Sequence, residues 1–276
     1  MDLIPRIPLG SWVDDLVNWM TREFSFVFDL IARFIRWFIE TFVDILVFFP
    51  PLALIALLAA LAWWTSRWPV AIFTVLGLLL IDNIGYWSQM IDTLALVITA
   101  VIISVIIGIP IGIAAAQSDR LQSIIAPILD FMQTMPAFVY LIPAILFFNI
   151  GVVPGVFASV IFAMPPTIRL TNLGIRQVPK ELIEAADAFG STRNQKLYKV
   201  QLPLAMPTIM AGINQSVMLA LSMVVIASLV GAPGLGAEVY RAVSQIQVGR
   251  GFEAGLAIVI LAIMLDRISQ NIYKKR

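Results

Sequence analysis

The stretch Leu94–Ala116, LALVITAVIISVIIGIPIGIAAA, carries no charged residue. As a helix rising 1.5 Å per residue it is about 35 Å long, enough to cross a hydrocarbon layer ~30 Å thick. Outward from it the whole chain agrees: 60% of its 276 residues are hydrophobic, 13% are charged, and the mean hydropathy is +0.94. A soluble domain carries about 25% charge. The chain therefore reads as an all-α integral membrane protein. Further core spans are expected at Ile124–Phe148, Val153–Leu170, Leu204–Val230 and Phe252–Ile272.

Composition also excludes chemistry. With 18 basic against 17 acidic residues, no strongly basic surface argues for nucleic acid. The absence of Cys and His removes disulfides, thiolate nucleophiles, imidazole bases and the usual zinc ligands. No metal site and no catalytic constellation is expected. Asp2, Asp14 and Asp15, ahead of any apolar run, argue against a cleavable signal peptide. No G-x-x-x-x-G-K-[ST] occurs, since Gly190 to Lys196 lacks the second Gly, so ATP cannot be bound in the P-loop manner.

From Asp15 to Asp44 the polar residues Asn18, Arg22, Asp29, Arg33, Arg36, Glu40 and Asp44 recur at helical spacing, with Phe24, Phe28, Phe34, Trp37, Phe38 and Phe42 on the other faces. A charged stripe of that length cannot face lipid tails, so residues 1–49 read as an amphipathic helix in the membrane interface. The alternative is a span whose charged face packs on other helices. Pro50 and Pro51 end it, and Leu52–Trp64 and Trp68–Ile81 form a short hairpin, spanning or re-entrant, within residues 50–82. Trp63, Trp64 and Trp68 suit an interfacial belt there. Residues 91–276 form the core.

The polar loop 171–203 holds Arg176, Lys180, Arg193, Lys196 and Lys199, which places it in the cytoplasm by the positive-inside rule. Counting outward puts Arg67, Arg120 and the C-terminal Lys274, Lys275 and Arg276 on the same side. Asp82–Asp92, Asn149–Gly155 and the N-terminus then fall outside. Within the loop stand Glu184-Ala185-Ala186, Gly190 after three residues, and Val200-Gln201-Leu202-Pro203 after nine more. Pro179 and Lys180 can open a helix through Glu184 to Phe189. Gly190 gives the freedom for a sharp turn, and Ser191 can cap a second helix ending before Pro203.

That pattern resembles the EAA loop of ABC importer permeases, with Val200 in place of the usual Ile. Asp130–Tyr140 (DFMQTMPAFVY), Phe162–Arg169 (FAMPPTIR) and Gly231–Gly236 (GAPGLG) look like the permease subunit of glycine betaine/proline betaine ABC importers, and the likeness runs from about Pro50 to the C-terminus. The resemblance implies the five-helix core of a type I importer permease in a bacterial plasma membrane, taking up quaternary-ammonium osmoprotectants. It implies a second permease copy, two cytoplasmic ATPase subunits that hold the ATP and Mg, no cofactor in this chain, and an external substrate-binding protein. Glu184, Ala185, Ala186, Gly190, Leu202 and Pro203 would then be the ATPase-coupling residues.

Pathway candidates are the polar and Met positions in apolar spans: Met132, Gln133, Thr134, Met135, Met164, Thr167, Asn214, Gln215, Met218, Ser222 and Met223. Polar groups are costly against lipid, so these face protein or water; simple helix packing with hydrogen bonds is the alternative for each. Asp130 and Arg169 form a candidate inner-gate pair, the alternative being that Asp130 faces a water-filled cavity and Arg169 marks the headgroup level. A secondary transporter or channel for a small zwitterion would show ion-coupling carboxylates or an inverted repeat, and neither is found. A membrane enzyme would need more than isolated acids.

Overall fold

The computed structural model describes residues 8–271, and every regular element among them is helical. Four helices are long and apolar enough to cross a membrane by themselves: α5 (Trp87–Ala116), α8 (Val152–Arg176), α11 (Leu202–Ser228, continuous with the segment from Arg193) and α13 (Val248–Asn271). At the centre α8 lies between α5 and α11. Two helices in lipid gain little from the hydrophobic effect, so close van der Waals approach must hold them, and small residues permit it. Gly112 of α5 is such a point: a Cβ there would stand 2.6 Å from Thr171 Cβ and 2.8 Å from the Ile168 carbonyl oxygen. Gly212 of α11 does the same against α8, 3.0 Å from the Pro166 carbonyl oxygen.

The second expected span is not one helix. α6 (Asp119–Thr134) and α7 (Ala137–Phe148) meet at 98° across Met135 and Pro136. Met135, forced away from the helical region by the proline that follows it, is extended at ψ 135°. The Tyr140 hydroxyl folds back and donates to the Met132 carbonyl at 2.8 Å, satisfying a backbone group that the break leaves open. The expectation of one unbroken span over Ile124–Phe148 is thereby corrected. The third span is longer than expected and carries Thr171–Arg176 as helix rather than loop.

The N-terminal stripe is carried by two helices, α1 (Leu9–Glu23) and α2 (Ser25–Phe48), joined at Phe24. Arg22, Asp29, Arg33, Arg36, Glu40 and Asp44 are all exposed, while α2 buries Ile35, Ile39 and Leu46. Phe28 stacks on Phe147 of α7 with ring centroids 4.3 Å apart. α2 meets α3 (Pro51–Thr65) at 105°, and α3 and α4 (Trp68–Asn83) make the short hairpin, each opened by a proline in its first turn. A short helix that sequence reading did not anticipate, α12 (Leu235–Ser244), is tied to α5 where the Leu235 N–H donates to Thr93 Oγ1 at 2.8 Å.

Candidate functional site

Two short helices project from the end of α8. α9 (Lys180–Ala188) starts after Pro179, whose fixed φ suits the position before a helix. Gly190 then turns the chain at φ +72°, a left-handed conformation that costs any residue with a Cβ. The Ser191 N–H donates to the Ala186 carbonyl at 3.0 Å and closes the turn. The next helix, α10 (Arg193–Lys196), is capped by Thr192 and not by Ser191. Thr192 Oγ1 accepts from the Gln195 N–H at 3.3 Å, and Gln195 Oε1 accepts from the Thr192 N–H at 2.8 Å. Nor does that helix end before Pro203: a π-helical turn, Leu197–Gln201, carries it straight into α11. Pro203 supplies no N–H to this continuous helix, and the missing donor falls directly after the π-helical turn, where the Leu202 N–H reaches five residues back to the Leu197 carbonyl.

The elbow is braced at both ends. Lys196 Nζ pairs with Asp187 Oδ1 at 2.6 Å, linking α10 to α9. Arg193 Nε donates to Gln117 Oε1 at 2.7 Å, and Gln117 Nε2 reaches Gln201 Oε1 at 3.3 Å, fastening the elbow to the end of α5. Glu184, Ala185 and Gly190 lie on its exposed side, Ala186 and Leu202 are half-buried, and Pro203 is exposed. Phe189 at the tip is 91% exposed, a large apolar ring with no cover from this chain.

On the same side α6 is held to α8 by two ion pairs. Arg169 Nη2 stands 2.5 Å from Asp130 Oδ1, and Arg176 Nη1 stands 2.7 Å from Asp119 Oδ1. Arg176 also donates to the Ala115 carbonyl and to Asn172 Oδ1, both at 2.9 Å. Between the pairs runs a cleft of about 410 Å³ whose floor includes Leu129, the only buried residue of α6. The side chains of Arg169 and Asp130 are 42% and 66% exposed, so water screens their attraction, and an exposed pair contributes about 0–1 kcal/mol.

The pathway candidates divide. Thr167 is fully buried, and its hydroxyl pairs at 2.8 Å with that of Ser216, which donates to the Ala163 carbonyl at 2.5 Å. Ser216 was not singled out from sequence. Met223 is buried in a cluster with Tyr140, Leu141 and Met135. Met132, Gln133 and Met164 are half-buried, and Thr134 returns its hydroxyl to the Asp130 carbonyl at 2.9 Å. Asn214 keeps its amide oxygen buried without a hydrogen-bond partner. Gln215, Met218 and Ser222 are exposed and, with Ala211, form one stripe along α11 at helical spacing.

Residues 108–276 match the family model of the binding-protein-dependent transport system inner membrane component. The glycine betaine transport system permease protein OpuAB of Bacillus subtilis is 63% identical over 276 residues, covering 100% of this chain and 98% of its own. The glycine betaine/carnitine transport permease protein GbuB of Listeria monocytogenes is 57% identical, covering 100% and 99%. The glycine betaine/proline betaine permease protein ProW of Escherichia coli is 49% identical, covering 96% of this chain and 75% of its own. An inward-facing structure of the MetNI methionine ABC transporter shares the fold with a TM-score of 0.64 at 22% identity, covering 69% of this chain and 95% of that one. The chain belongs to the binding-protein-dependent transport system inner membrane components, and it is a multi-pass permease of the ABC importer type.

Proposed function

We propose that this permease, paired with a second copy, forms the membrane pathway through which glycine betaine or a related quaternary-ammonium osmoprotectant enters the cell. The observation that carries the substrate class is the 63% identity along the whole chain to a glycine betaine permease. Two ATPase subunits bind and hydrolyse ATP with Mg on the cytoplasmic side and grip the elbow at Glu184, Ala185, Ala186, Gly190, Leu202 and Pro203. An external binding protein delivers the substrate. The C-terminus lies in the cytoplasm and the N-terminus outside, supported by the basic residues around the elbow.

The physical steps follow from continuity and contrast. Because α10 runs without a break into α11, a movement of the elbow is passed to α11 and, through its close packing on α8, to the α5–α8–α11 bundle as one body. The exposed stripe Ala211, Gln215, Met218 and Ser222 is where the second copy closes on the pathway; flexible Met and small polar groups suit a solute that slides past without being held. The Asp130–Arg169 pair, being exposed and weak, serves as an inner gate contact that can break and remake within a transport cycle.

Family membership sets aside the secondary transporter or channel. Uptake of labelled glycine betaine, choline, carnitine and proline into proteoliposomes holding the assembled complex tests the reading. Uptake that needs ATP inside and the binding protein outside, with glycine betaine preferred, is the expected result. ATP-independent uptake, or ATP-driven uptake of none of the four, contradicts it.

A further inference from the structure

The turn of the α3–α4 hairpin is latched onto the last turns of α13. Ser66 Oγ donates to the Arg267 carbonyl at 2.8 Å and accepts from Asn271 Nδ2 at 3.1 Å, and the same amide donates to the Arg267 carbonyl at 2.9 Å. This latch brings Arg67 and Arg267, two hundred residues apart in the chain, onto the wall of one open cavity of about 690 Å³. Neither guanidinium has a carboxylate partner among the described residues. The acid next in sequence, Asp266, instead accepts from Gln270 Nε2 at 2.6 Å. Both guanidiniums therefore line one open cavity with no acidic side chain among the described residues on its wall, a setting that an anion would neutralise.

The same hairpin carries a second cavity of about 350 Å³ with apolar walls, Ala59, Ala60, Trp63, Trp68, Ala71 and Ile72, and its Trp68 is next in the chain to Arg67 of the first. The alanines make a trough along the hairpin, and Trp63 and Trp68 flank it, 66% and 67% exposed. Indoles of this kind settle at headgroup level, with hydrocarbon on one side and water on the other. A basic cavity and an apolar trough on one hairpin, with Trp68 adjoining Arg67 in the chain, match one kind of ligand: a phosphate headgroup with an acyl chain attached.

We infer that Arg67 and Arg267 hold the phosphate of an anionic phospholipid whose acyl chain lies in the Ala59–Ala71 trough. The lipid straps the hairpin to α13 and completes the latch that Ser66 begins. A free phosphate ion shares the charge chemistry but has no use for the trough. The inference rests on the chain being membrane-embedded and is independent of the transported substrate.

The test is native mass spectrometry of the delipidated, assembled transporter titrated with phosphatidylglycerol or with phosphatidylcholine of the same chains. Two basic side chains at an anionic headgroup support roughly thirty-fold tighter binding of phosphatidylglycerol. Arg67→Gln with Arg267→Gln should erase that preference, and Arg67→Lys with Arg267→Lys should keep most of it. Ala60→Phe, which fills the trough, should weaken both lipids. Equal binding of the two lipids to the unaltered protein overturns the inference, and that measurement needs no variant. So does displacement of phosphatidylglycerol by millimolar inorganic phosphate, or an unchanged preference in the Gln double variant.

Discussion

Two contacts of the same helix, α8, are made by opposite means. Against α5 and α11 it is dry and close, with Gly112 and Gly212 bringing backbones together and the Thr167–Ser216 pair sealed inside. Toward α6, a helix that buries Leu129 alone, the connection rests on Asp130–Arg169 and Asp119–Arg176, both reached by water. Close-packed interfaces resist any shift, because each ångström of separation forfeits many dispersion contacts. Two screened ion pairs can be exchanged for water at little cost. The α5–α8–α11 bundle is therefore the rigid body of the permease, and α6, bounded by Ser118 and by the Met135–Pro136 break, is the part free to swing.

The sharpest way to break this contrast is Gly112→Leu. The new side chain must enter the space of Thr171 Cβ and the Ile168 carbonyl, and overpacking of that kind costs about 1–3 kcal/mol, with more where backbone stands in the way. Loss of the folded permease from the membrane, read by detergent-resistant monodispersity, is the expected outcome; a stable variant would show that the bundle is not tight. Gly190→Val comes next. Its φ of +72° is strained for a β-branched residue, yet no atom stands within 4 Å of the added Cβ, so the membrane body should stay intact. Membrane insertion should be normal and transport should fall about tenfold or more, a strain of 1–2 kcal/mol being enough to misplace the elbow.

Exchange of charges at the gate should have a moderate effect. Asp130→Arg and Arg169→Asp each leave two like charges facing one another, and the double exchange should recover activity beyond either single change. Recovery no better than the singles removes the pair from the gating account. The smallest effect belongs to Asp119→Asn. Its carboxylate is 91% exposed and Arg176 keeps its bonds to Ala115 and Asn172, so transport should change less than about twofold.

The spans were legible because a run without charge, such as Leu94–Ala116, admits no other element. The break in the second span was not. Pro110, Pro127, Pro143, Pro165, Pro166 and Pro207 all lie inside helices, whereas Pro136 stands at a break. At Pro136 the Tyr140 hydroxyl reaches back to satisfy the open Met132 carbonyl, and that partnership exists only in three dimensions. The elbow's position could be read from Pro179 and Gly190, but its second cap was missed by one residue. The signal was present in Thr192-Arg193-Asn194-Gln195, a capping-box spacing that Ser191, with Asn194 three residues on, does not have. Ser216 gave no sign at all, since a lone serine in a helix names no partner.

A chain without cysteine can be labelled at will, and this allows the contrast to be measured directly. Spin labels at cysteines placed on α6 and α8, at Ser123 and Leu173, report the flexible contact, and labels at Leu173 and Leu204 report the rigid one. In the assembled transporter, trapping the ATPases with ATP should shift the α6–α8 distance distribution by several ångströms, about one helical turn at most, and leave α8–α11 unchanged. A shifted α8–α11 distance, or an α6–α8 distance identical in both states, would contradict the division into rigid bundle and moving helix.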